Sequence, residues 1–503
     1  MTTPTYPGVY VIELPSSQHP ITGVSTSVTA FVGSASQGPV NNPQTLFSWS
    51  DFVRTFGGLW ASSTMSYAVY QFFQNGGATA VVVRVTADDA KPAQLDLGSG
   101  VTLQAANPGS WGNSLLATVT NDPNNNKLWG LTIQNTATGA AEQYYNISTD
   151  TTSASSLANS LQPSLLVQVA AGSALDQRPA PAANIGPVSG SASNGAAIQD
   201  AQIDPQSQTG GIFALLATDI FNILCLPPPA MGGDLVQKTL DDAAQLCVQR
   251  RAMLIVDPPS DWTSVEAAAA GMATPLISGN TTVNGSSIAN AANAAMYFPR
   301  ITATDPLTGN PASFVSCGAV AGIWASTDSS RGVWKAPAGT NATLAGGTSL
   351  PVLMTDDQNG QLNPLGLNCL RNFPIIGPVV WGARTLRGAD ALEDQWKYIP
   401  IRRTALYIEE SLRRGTQWVV FEPNAEPLWS SIRLNVGAFM AGLYRQGAFA
   451  GSTPDQAYLV KCDSENNPPS QVQLGIVNIL VGFAPLYPAE FVFISIEQLA
   501  GQS

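Results

Sequence analysis

Short apolar segments that alternate with helix-forming segments narrow the fold of this 503-residue chain more than any other feature. Ala80–Val85 is almost wholly apolar and follows a helical segment, Met65–Gln74. The same order recurs in Phe221–Leu226, Leu235–Arg250, Ala252–Val256, an Ala-rich helix near Val265, and Ala295–Phe298. Strands that alternate with helices pair in parallel, and strands buried on both faces lose the polar–apolar alternation. We therefore predict a middle α/β domain formed by residues 23–90 and 211–364.

Residues 91–210 differ in composition from this pattern. Thr-, Ser- and Asn-rich turns separate four predicted strands, and an Ala/Pro/Ser/Gly-rich loop follows them. The strands are Leu115–Thr120, Trp129–Ile133, Gln143–Ile147 and Leu165–Val169. Such spacing is typical of a small β-rich fold, so we predict an inserted β-rich domain over residues 91–210.

The C-terminal part, residues 365–503, mixes both kinds of element. We predict strands at Pro378–Trp381, Tyr398–Ile401 and Trp418–Phe421, and a buried strand within Leu474–Tyr487. A helix is predicted at Thr404–Arg414, and a longer one begins near Pro427, a residue suited to a first helical turn, and ends near Tyr444. The longer helix carries an apolar stripe at helical spacing: Leu428, Ile432, Val436, Phe439 and Leu443.

Both ends of the chain carry strand-forming runs, Tyr6–Glu13 and Ala489–Glu497. Terminal residues are usually disordered unless something holds them, so runs rich in β-branched and aromatic residues suggest strands that are given to a sheet. That sheet belongs either to the same chain or to a neighbour, and donation to a neighbour would link subunits into a polymer. The residues that we assign to donation are Tyr6, Val9, Tyr10, Val11, Ile12, Phe491, Val492, Phe493 and Ile494.

Composition argues against several functional classes. Charged residues make up 11% of the chain and the net charge is −12, whereas a nucleic-acid-binding protein normally carries a basic excess. A weakly charged surface suits either a subunit packed against its own copies or a protein with neutral loops. The five cysteines are widely spaced, without a CxxC pair, which indicates core residues in a reducing cytoplasm. We expect neither a signal peptide nor a membrane span, because Leu474–Tyr487 is too short and is interrupted by Asn478 and Pro485.

Catalytic, cofactor-binding and metal-binding motifs are not expected in this chain. His19 is the only histidine, and G-x-S-x-G, P-loop and G-x-G-x-x-G motifs are missing. Asp257 ends a predicted strand, where α/β enzymes place catalytic residues, but a structural role is favoured over a catalytic one. Asp122–Asn126 resembles the start of a calcium loop and lacks its later ligands. We therefore predict a protein that is not an enzyme and needs no cofactor.

Arginine-rich segments near the C-terminus suggest contact surfaces. Glu409 and Glu410 precede Arg413 and Arg414 by four residues each, which favours two ion pairs on a solvated helix face. Other arginines have no such local partner and are predicted to contact another chain: Arg402, Arg403, Arg433 and Arg445.

Several segments, in order along the chain, resemble contractile tail sheath proteins. They are Pro7–Glu13, Ile21–Ser27, Ala30–Gly33, Phe72–Gly77, Val83–Val85, Asn107–Asn113, Asp328–Gly339, Gly382–Leu386, Trp396–Arg414 and Phe421–Asn424. The family includes the sheaths of contractile phage tails, R-type bacteriocins and extracellular injection systems.

The resemblance implies stacked homo-hexameric rings around an inner tube, with baseplate and terminal cap proteins as further partners. It implies an inner α+β domain built from residues 1–22 and 365–503 with exchanged terminal strands, and we expect residues 91–210 on the outer surface. Assembly would take place in the bacterial cytoplasm, and the particle would be either a virion or an extracellular phage-like particle. No direct nucleic-acid binding and no stable membrane insertion are expected. The alternative is a soluble α/β enzyme or binding protein whose end strands pair within its own fold.

The resemblance also raises the question of which residues face the tube. On the long helix, Arg433, Asn435 and Arg445 lie away from the apolar stripe and are the candidate tube contacts. The same arginines could instead bind a neighbouring sheath subunit.

Overall fold

An eight-stranded sheet is the largest element of the computed structural model, which describes residues 19–283 and 285–493. In chain order the strands are β1 (Thr29–Gly33), β2 (Gln44–Leu46), β3 (Ala80–Arg84), β4 (Gln94–Asp96), β5 (Thr102–Ala105), β6 (Leu115–Asn121), β7 (Leu128–Asn135), β8 (Ala141–Ser148), β9 (Val167–Val169), β10 (Ala182–Ile185), β11 (Ile223–Cys225), β12 (Met253–Val256), β13 (Asn280–Val283), β14 (Ser286–Ala289), β15 (Ala294–Phe298), β16 (Ile301–Thr304), β17 (Pro311–Phe314), β18 (Asn368–Phe373), β19 (Gly377–Val380), β20 (Tyr458–Lys461) and β21 (Leu480–Phe483).

The α-helices are α1 (Trp49–Phe56), α2 (Thr64–Gln74), α3 (Leu157–Ser160), α4 (Asp200–Ile203), α5 (Gln237–Arg250), α6 (Val265–Gly271), α7 (Cys317–Arg331), α8 (Asp356–Leu362), α9 (Ile399–Gly415), α10 (Glu426–Arg445), α11 (Pro454–Ala457) and α12 (Pro469–Val472).

The central sheet has the order β19-β18-β15-β12-β11-β1-β3-β2. The six inner strands are parallel, and β2 and β19 add antiparallel edges. Every residue of β1, β3, β12 and β15 is buried, as their apolar sequences predict for strands covered on both faces. The predicted alternation of strands and helices, and with it a mixed α/β fold, is confirmed.

Residues 91–210 contain two further sheets, β10-β6-β7-β8 and β4-β5-β9. They enclose a core of their own, with Leu103, Leu115, Trp129, Leu131 and Val167 among its members. Three of the four predicted strands are found, and the fourth is shortened to β9 because Leu165 is exposed in the preceding turn.

A buried arginine joins this segment to the central sheet. Arg84, at the end of β3, donates to the carbonyl oxygens of Ala35, Gly38 and Pro108 at 2.9, 2.7 and 2.8 Å. Burial lowers the pKa of Arg84 to about 10. Three carbonyl acceptors thus satisfy a cation that has no carboxylate partner among the described residues, and they hold two loops against the end of the strand.

The chain divides into two compact units, residues 25–403 and residues 1–24 with 404–503. This differs from the predicted boundary at residue 365. Strand β18 pairs with β15 and β19 pairs with β18, so both strands belong to the central sheet of the first unit. The prediction that groups residues 365–403 with the C-terminal part rests on local sequence. In the structure, hydrogen bonding of β18 to a buried neighbouring strand places these residues in the first unit instead. The three-part division into inner, middle and outer domains stays a prediction.

Two predicted strands are helical or turn-like instead. Tyr398–Ile401 lies at the start of α9, where Pro400 fits because the first helical turn needs no backbone donor. Trp418–Phe421 falls in a single 3₁₀ turn, Gln417–Val419, and the residues after it. β-branched and aromatic residues favour strands only where a neighbour strand is present.

Arg402 and Arg403 are buried inside the first unit, so the prediction that they contact another chain is wrong. Arg403 donates to both carboxylate oxygens of Asp328 at 2.8 and 2.6 Å, and its guanidinium lies 4.8 Å from the Trp324 ring centre. Arg402 donates to the side chain of Asn293 at 3.0 Å. The partners are 75 and 109 residues away in sequence, which is why a search for local partners missed them.

Candidate assembly surface

A small antiparallel sheet forms the β-structure of the second unit in the described part of the chain. Its strands, β20 and β21, pair Tyr458 with Phe483 and Lys461 with Leu480. In the described part of the chain neither strand pairs with a third one. Two strands alone are marginally stable, and their outer edges leave backbone donors and acceptors without partners. The strand predicted within Leu474–Tyr487 spans only Leu480–Phe483 in the structure. In the isolated chain this strand is not buried, which differs from the prediction.

The two faces of this sheet differ. On the inner face Tyr458 and Phe483 pack against Phe449, with ring centres 6.3 and 5.6 Å apart, and Tyr444 of α10 lies 6.4 Å from Tyr458. On the outer face Leu459 and Leu480 are 52% and 51% exposed. The aromatic cluster holds the sheet on its own unit, while the outer face is open to solvent at Leu459 and Leu480.

An amide network fixes the long connection between β20 and β21. Asn466 donates to the carbonyl oxygens of Lys461 at 3.1 Å and Asn478 at 2.9 Å, and Asn467 donates to Asn478 at 3.1 Å. In return the backbone N–H of Asn478 donates to Asn467 Oδ1 at 2.6 Å. The network satisfies buried backbone groups and keeps the two strands in register. Sequence reasoning missed these residues, although Asn466-Asn467-Pro468-Pro469 is a recognisable turn signal.

Helix α10 supports this region and forms where it was predicted. Its apolar stripe is largely buried, with Leu428, Ile432, Val436 and Leu443 in the core and Phe439 half-buried against Tyr407. Pro427 occupies the first turn. The predicted helix and its buried face are confirmed.

The three proposed tube contacts on α10 have different environments. Asn435 is 5% exposed and accepts a hydrogen bond from the backbone N–H of His19 at 3.1 Å, so its side chain is covered in the isolated chain and its role as a tube contact stays a prediction. Asn435 lies just off the apolar stripe, and the chain near residue 19 covers it. Arg433 pairs with Glu426 at 2.5 Å and donates to the carbonyl oxygen of Cys462. Arg445 is exposed and has no ion-pair or hydrogen-bond partner among the described residues.

The adjacent residues Arg413 and Arg414 both form ion pairs with the carboxylate of Glu410. Glu410 accepts from Arg413 at 2.6 Å and from Arg414 at 2.7 Å, across three and four residues of α9. Burial raises the pKa of Glu410, but the hydrogen bonds from the two guanidinium groups outweigh burial and lower the pKa to about 2. The predicted pair of Glu410 with Arg414 is present, and Glu410 also accepts from Arg413. Its carboxyl is largely buried, whereas the prediction placed the pairs on a solvated helix face.

The residues assigned to strand donation lie mostly outside the described part of the chain: Tyr6, Val9, Tyr10, Val11, Ile12 and Ile494. Phe491, Val492 and Phe493 are described and form no strand. They are 70%, 78% and 92% exposed. Three consecutive large apolar side chains exposed to water are unfavourable in the isolated chain, and the strand donation assigned to them stays a prediction.

Asp257 has a structural role at the end of β12. Its Oδ1 accepts from the backbone N–H groups of Ser316 and Cys317 at 2.8 and 2.9 Å, at the start of α7. Burial raises the pKa of this carboxyl. The carboxylate therefore caps a helix, as the favoured interpretation of the sequence expected. Among the described residues no group of three His, Cys, Asp or Glu could hold a metal ion, and no helix is long and apolar enough to cross a membrane.

Two profiles of phage tail sheath domains match this chain. The phage tail sheath protein central domain matches residues 208–386, and the phage tail sheath C-terminal domain matches residues 393–498. Together the two matches cover more than half of the chain. The chain belongs to the phage tail sheath family. The start of the second match at residue 393 agrees better with the structural boundary at 403 than with the predicted one at 365.

Individual tail sheath proteins are similar at low identity. The tail sheath protein of Vibrio phage KVP40 is 26% identical over 156 residues, which is 31% of this chain. The match spans only 22% of the length of that curated relative.

Solved structures of sheath proteins share the fold over nearly the whole chain. The PVC sheath complex of an extracellular contractile injection system, in the contracted state, is 22% identical with a TM-score of 0.58, and the match covers 99% of both chains. The contracted helical sheath of the anti-feeding prophage is 20% identical with a TM-score of 0.58 over 99% of this chain and 100% of that one. The sheath tail protein from Listeria innocua is 13% identical with a TM-score of 0.62 over 93% and 97%.

Proposed function

We propose that this chain is the structural subunit of a contractile helical sheath whose contraction drives an inner tube through a target cell envelope. The observation that carries the proposal is the open two-stranded sheet β20–β21 in a chain of the tail sheath family. The role is structural rather than catalytic. The partners are copies of the same chain in stacked hexameric rings, the inner tube protein, and baseplate and cap proteins.

Strand addition between neighbouring copies is the proposed mode of assembly. The edges of β20–β21 offer unpaired backbone groups, and an added strand would satisfy them while covering apolar side chains. The segment Met1–Leu14 can reach on the order of 45 Å when extended, enough to cross to an adjacent subunit. Phe491–Phe493, exposed in the single chain, would lose their contact with water in the same step.

Such links fit a sheath that contracts without unravelling. Backbone pairing between copies survives rotation of the subunits, while the remaining contacts between rings exchange. In this proposal the extended sheath is metastable and assembly supplies the energy, so nucleotide hydrolysis is not needed. Assembly takes place in the bacterial cytoplasm, and the sheath works in a virion or an extracellular phage-like particle.

Electron microscopy of the purified full-length chain and of a chain lacking residues 1–14 tests this function. We expect tubes or rings from the full chain and folded, unassembled subunits from the truncated one. A chain lacking only Met1–Thr3 is the matched control, since it keeps Tyr6–Glu13, and it should assemble normally. Compact monomers from the full chain would reject the sheath role and favour a protein whose end strands pair internally. Normal tubes from the chain lacking residues 1–14 would reject strand donation by the N-terminal arm.

Arg445 is the preferred candidate for tube contact, because it is exposed at the end of α10 and Arg433 is engaged within its own unit. A single exposed charge pair contributes roughly 0.2–1 kcal/mol, so repeated pairs around a ring can guide assembly and still release. Arg445→Glu should weaken co-assembly with the tube protein while free sheath still forms. The control is Lys127→Glu, which reverses the same charge on an exposed side chain that is distant from Arg445 in sequence. Unchanged co-assembly of Arg445→Glu would reject the contact.

A further inference from the structure

The first described residues of the chain, His19–Val24, are held against one face of helix α9. The backbone N–H of Val24 donates to Ser411 Oγ at 3.2 Å, and Ser411 is fully buried. Gly23 lies against Tyr407, and Ile21 lies against Gly415. The three helix residues Tyr407, Ser411 and Gly415 are four apart, which places them on one side of the helix.

Two glycines in this contact lie too close to a neighbouring side chain to leave room for a Cβ. A Cβ at Gly23 would lie 2.0 Å from Tyr407 Oη, and a Cβ at Gly415 would lie 2.6 Å from the Ile21 side chain. A larger residue at either position would force the opposing side chain to move. A shift of the segment by one residue would place Thr22 or Val24 against Tyr407 in place of Gly23. The close fit therefore favours one position of the segment along the helix.

His19 is the first described residue, and two contacts hold it in place. Its ring stacks on Trp418 with centres 4.3 Å apart and planes 18° apart. Its backbone N–H donates to Asn435 Oδ1 at 3.1 Å, and Asn435 Nδ2 donates to the carbonyl oxygen of Ser431 at 2.9 Å. The second bond fixes the Asn435 amide so that its oxygen points toward His19.

We infer that His19–Val24 is an anchor for the N-terminal arm, and that Tyr407, Ser411, Gly415, Trp418 and Asn435 are positioning residues for strand donation. The inference rests on the proposed function, since it assigns the arm a fixed origin at residue 19. A tethered arm reaches its acceptor at an effective concentration that depends on the length of free chain. If the arm is fixed at residue 19 and not further along the chain, its free segment is shorter. The effective concentration of the arm at its acceptor is then higher. It also holds the arm on its own subunit when the neighbouring copy pulls on it.

Hydrogen exchange on the unassembled full-length chain, together with electron microscopy, tests the anchor. Gly23→Ala should raise exchange at residues 19–24 roughly tenfold or more, because docking needs the space at Tyr407. It should also raise the protein concentration needed for tubes by about the same factor. Tyr407→Phe removes the clashing oxygen, so Gly23→Ala combined with Tyr407→Phe should recover part of both losses. Gly442→Ala is the matched control, since a Cβ there meets nothing within 4 Å.

The possible results separate the anchor from the sheath role. Unchanged exchange in Gly23→Ala overturns the anchor. Faster exchange with tubes at the normal concentration overturns the positioning role. If Gly23→Ala does not fold, His19→Ala replaces it, since removing the stack on Trp418 should raise exchange at residues 19–21 and leave the fold intact. Failure of the unmodified chain to form tubes rejects the proposed function, and the exchange data on the subunit still decide whether residues 19–24 are docked.

Discussion

At the scale of single residues, long-range pairing decides what the charged side chains do. The side chains of Arg403 and Asp328 are each 3% exposed and are joined by two hydrogen bonds. Removing one side chain of the pair would leave the charge of the other buried without a partner, which costs free energy of folding. The pair therefore holds Arg403 to Asp328 of α7 within the first unit, and neither side chain is available to another chain.

Arg403→Ala should lower the free energy of unfolding by about 3–5 kcal/mol, because Asp328 is left buried without its partner. Chemical denaturation followed by circular dichroism measures the change. Arg54→Ala breaks the exposed pair with Asp51 and should cost less than about 1 kcal/mol. Similar losses in the two variants would contradict the burial argument.

The lowered pKa of Glu410 predicts that the stability of the second unit depends on pH. Its folded pKa of about 2 is below the usual value of 4.5 for a glutamate, so its stabilising contribution is present above about pH 4.5 and is lost as the pH falls toward 2. Glu410→Gln should destabilise at pH 7 by up to about 3 kcal/mol, and the difference from the unmodified chain should shrink on acidification. Urea unfolding at several pH values measures it, with the exposed Glu422→Gln as control. A difference that stays constant from pH 7 to 3 would reject the assignment.

At the scale of elements, the hairpin β20–β21 depends on its connection more than on its strands. Two short strands gain little from their own pairing, whereas Asn466, Asn467 and Asn478 tie the ends of the connection together. The sheet is thus kept in shape before any neighbour binds, which lowers the ordering cost of strand addition.

Asn467→Ala should destabilise the hairpin by about 1–3 kcal/mol, because buried backbone groups of the connection lose their partners. We expect faster hydrogen exchange in residues 458–483 and weaker tube formation. Gln473→Ala, at an exposed position in the same connection, should behave like the unmodified chain. Equal exchange in both variants would show that the amide network does not order the sheet.

At the scale of the whole molecule, residues 91–210 have their own core and two sheets, and they contain few charged side chains for their length. A segment that buries its own apolar residues does not need a neighbouring copy for stability. We expect it on the outer surface of the assembly with little part in contraction.

Limited proteolysis and surface labelling of intact tubes should therefore concentrate between residues 91 and 210, at exposed turns such as the one before Lys127. Cleavage there should leave the tubes intact. The same treatment of unassembled subunits is the control, since it should also cut residues that assembly covers. Strong protection of the whole segment in tubes would count against an outer position.

The sequence by itself determined the elements whose signal is local. Buried strands such as Ala80–Arg84 have continuous apolar residues, and α10 has a stripe at helical spacing, so both were predicted close to their observed bounds. The mixed fold followed from the same patterns, and the ordered motifs carried the family resemblance.

The tertiary structure alone decided what depends on partners distant in sequence. Arg403 and Asn435 look solvent-facing from their neighbours, and they are buried because Asp328 and His19 reach them across 75 and 416 residues. The unit boundary moved from 365 to 403 because β18 pairs with β15, a contact that local composition does not encode. The tight fit of Gly23 to Tyr407 is likewise a matter of packing, since a glycine in a sequence does not reveal which side chain needs its space.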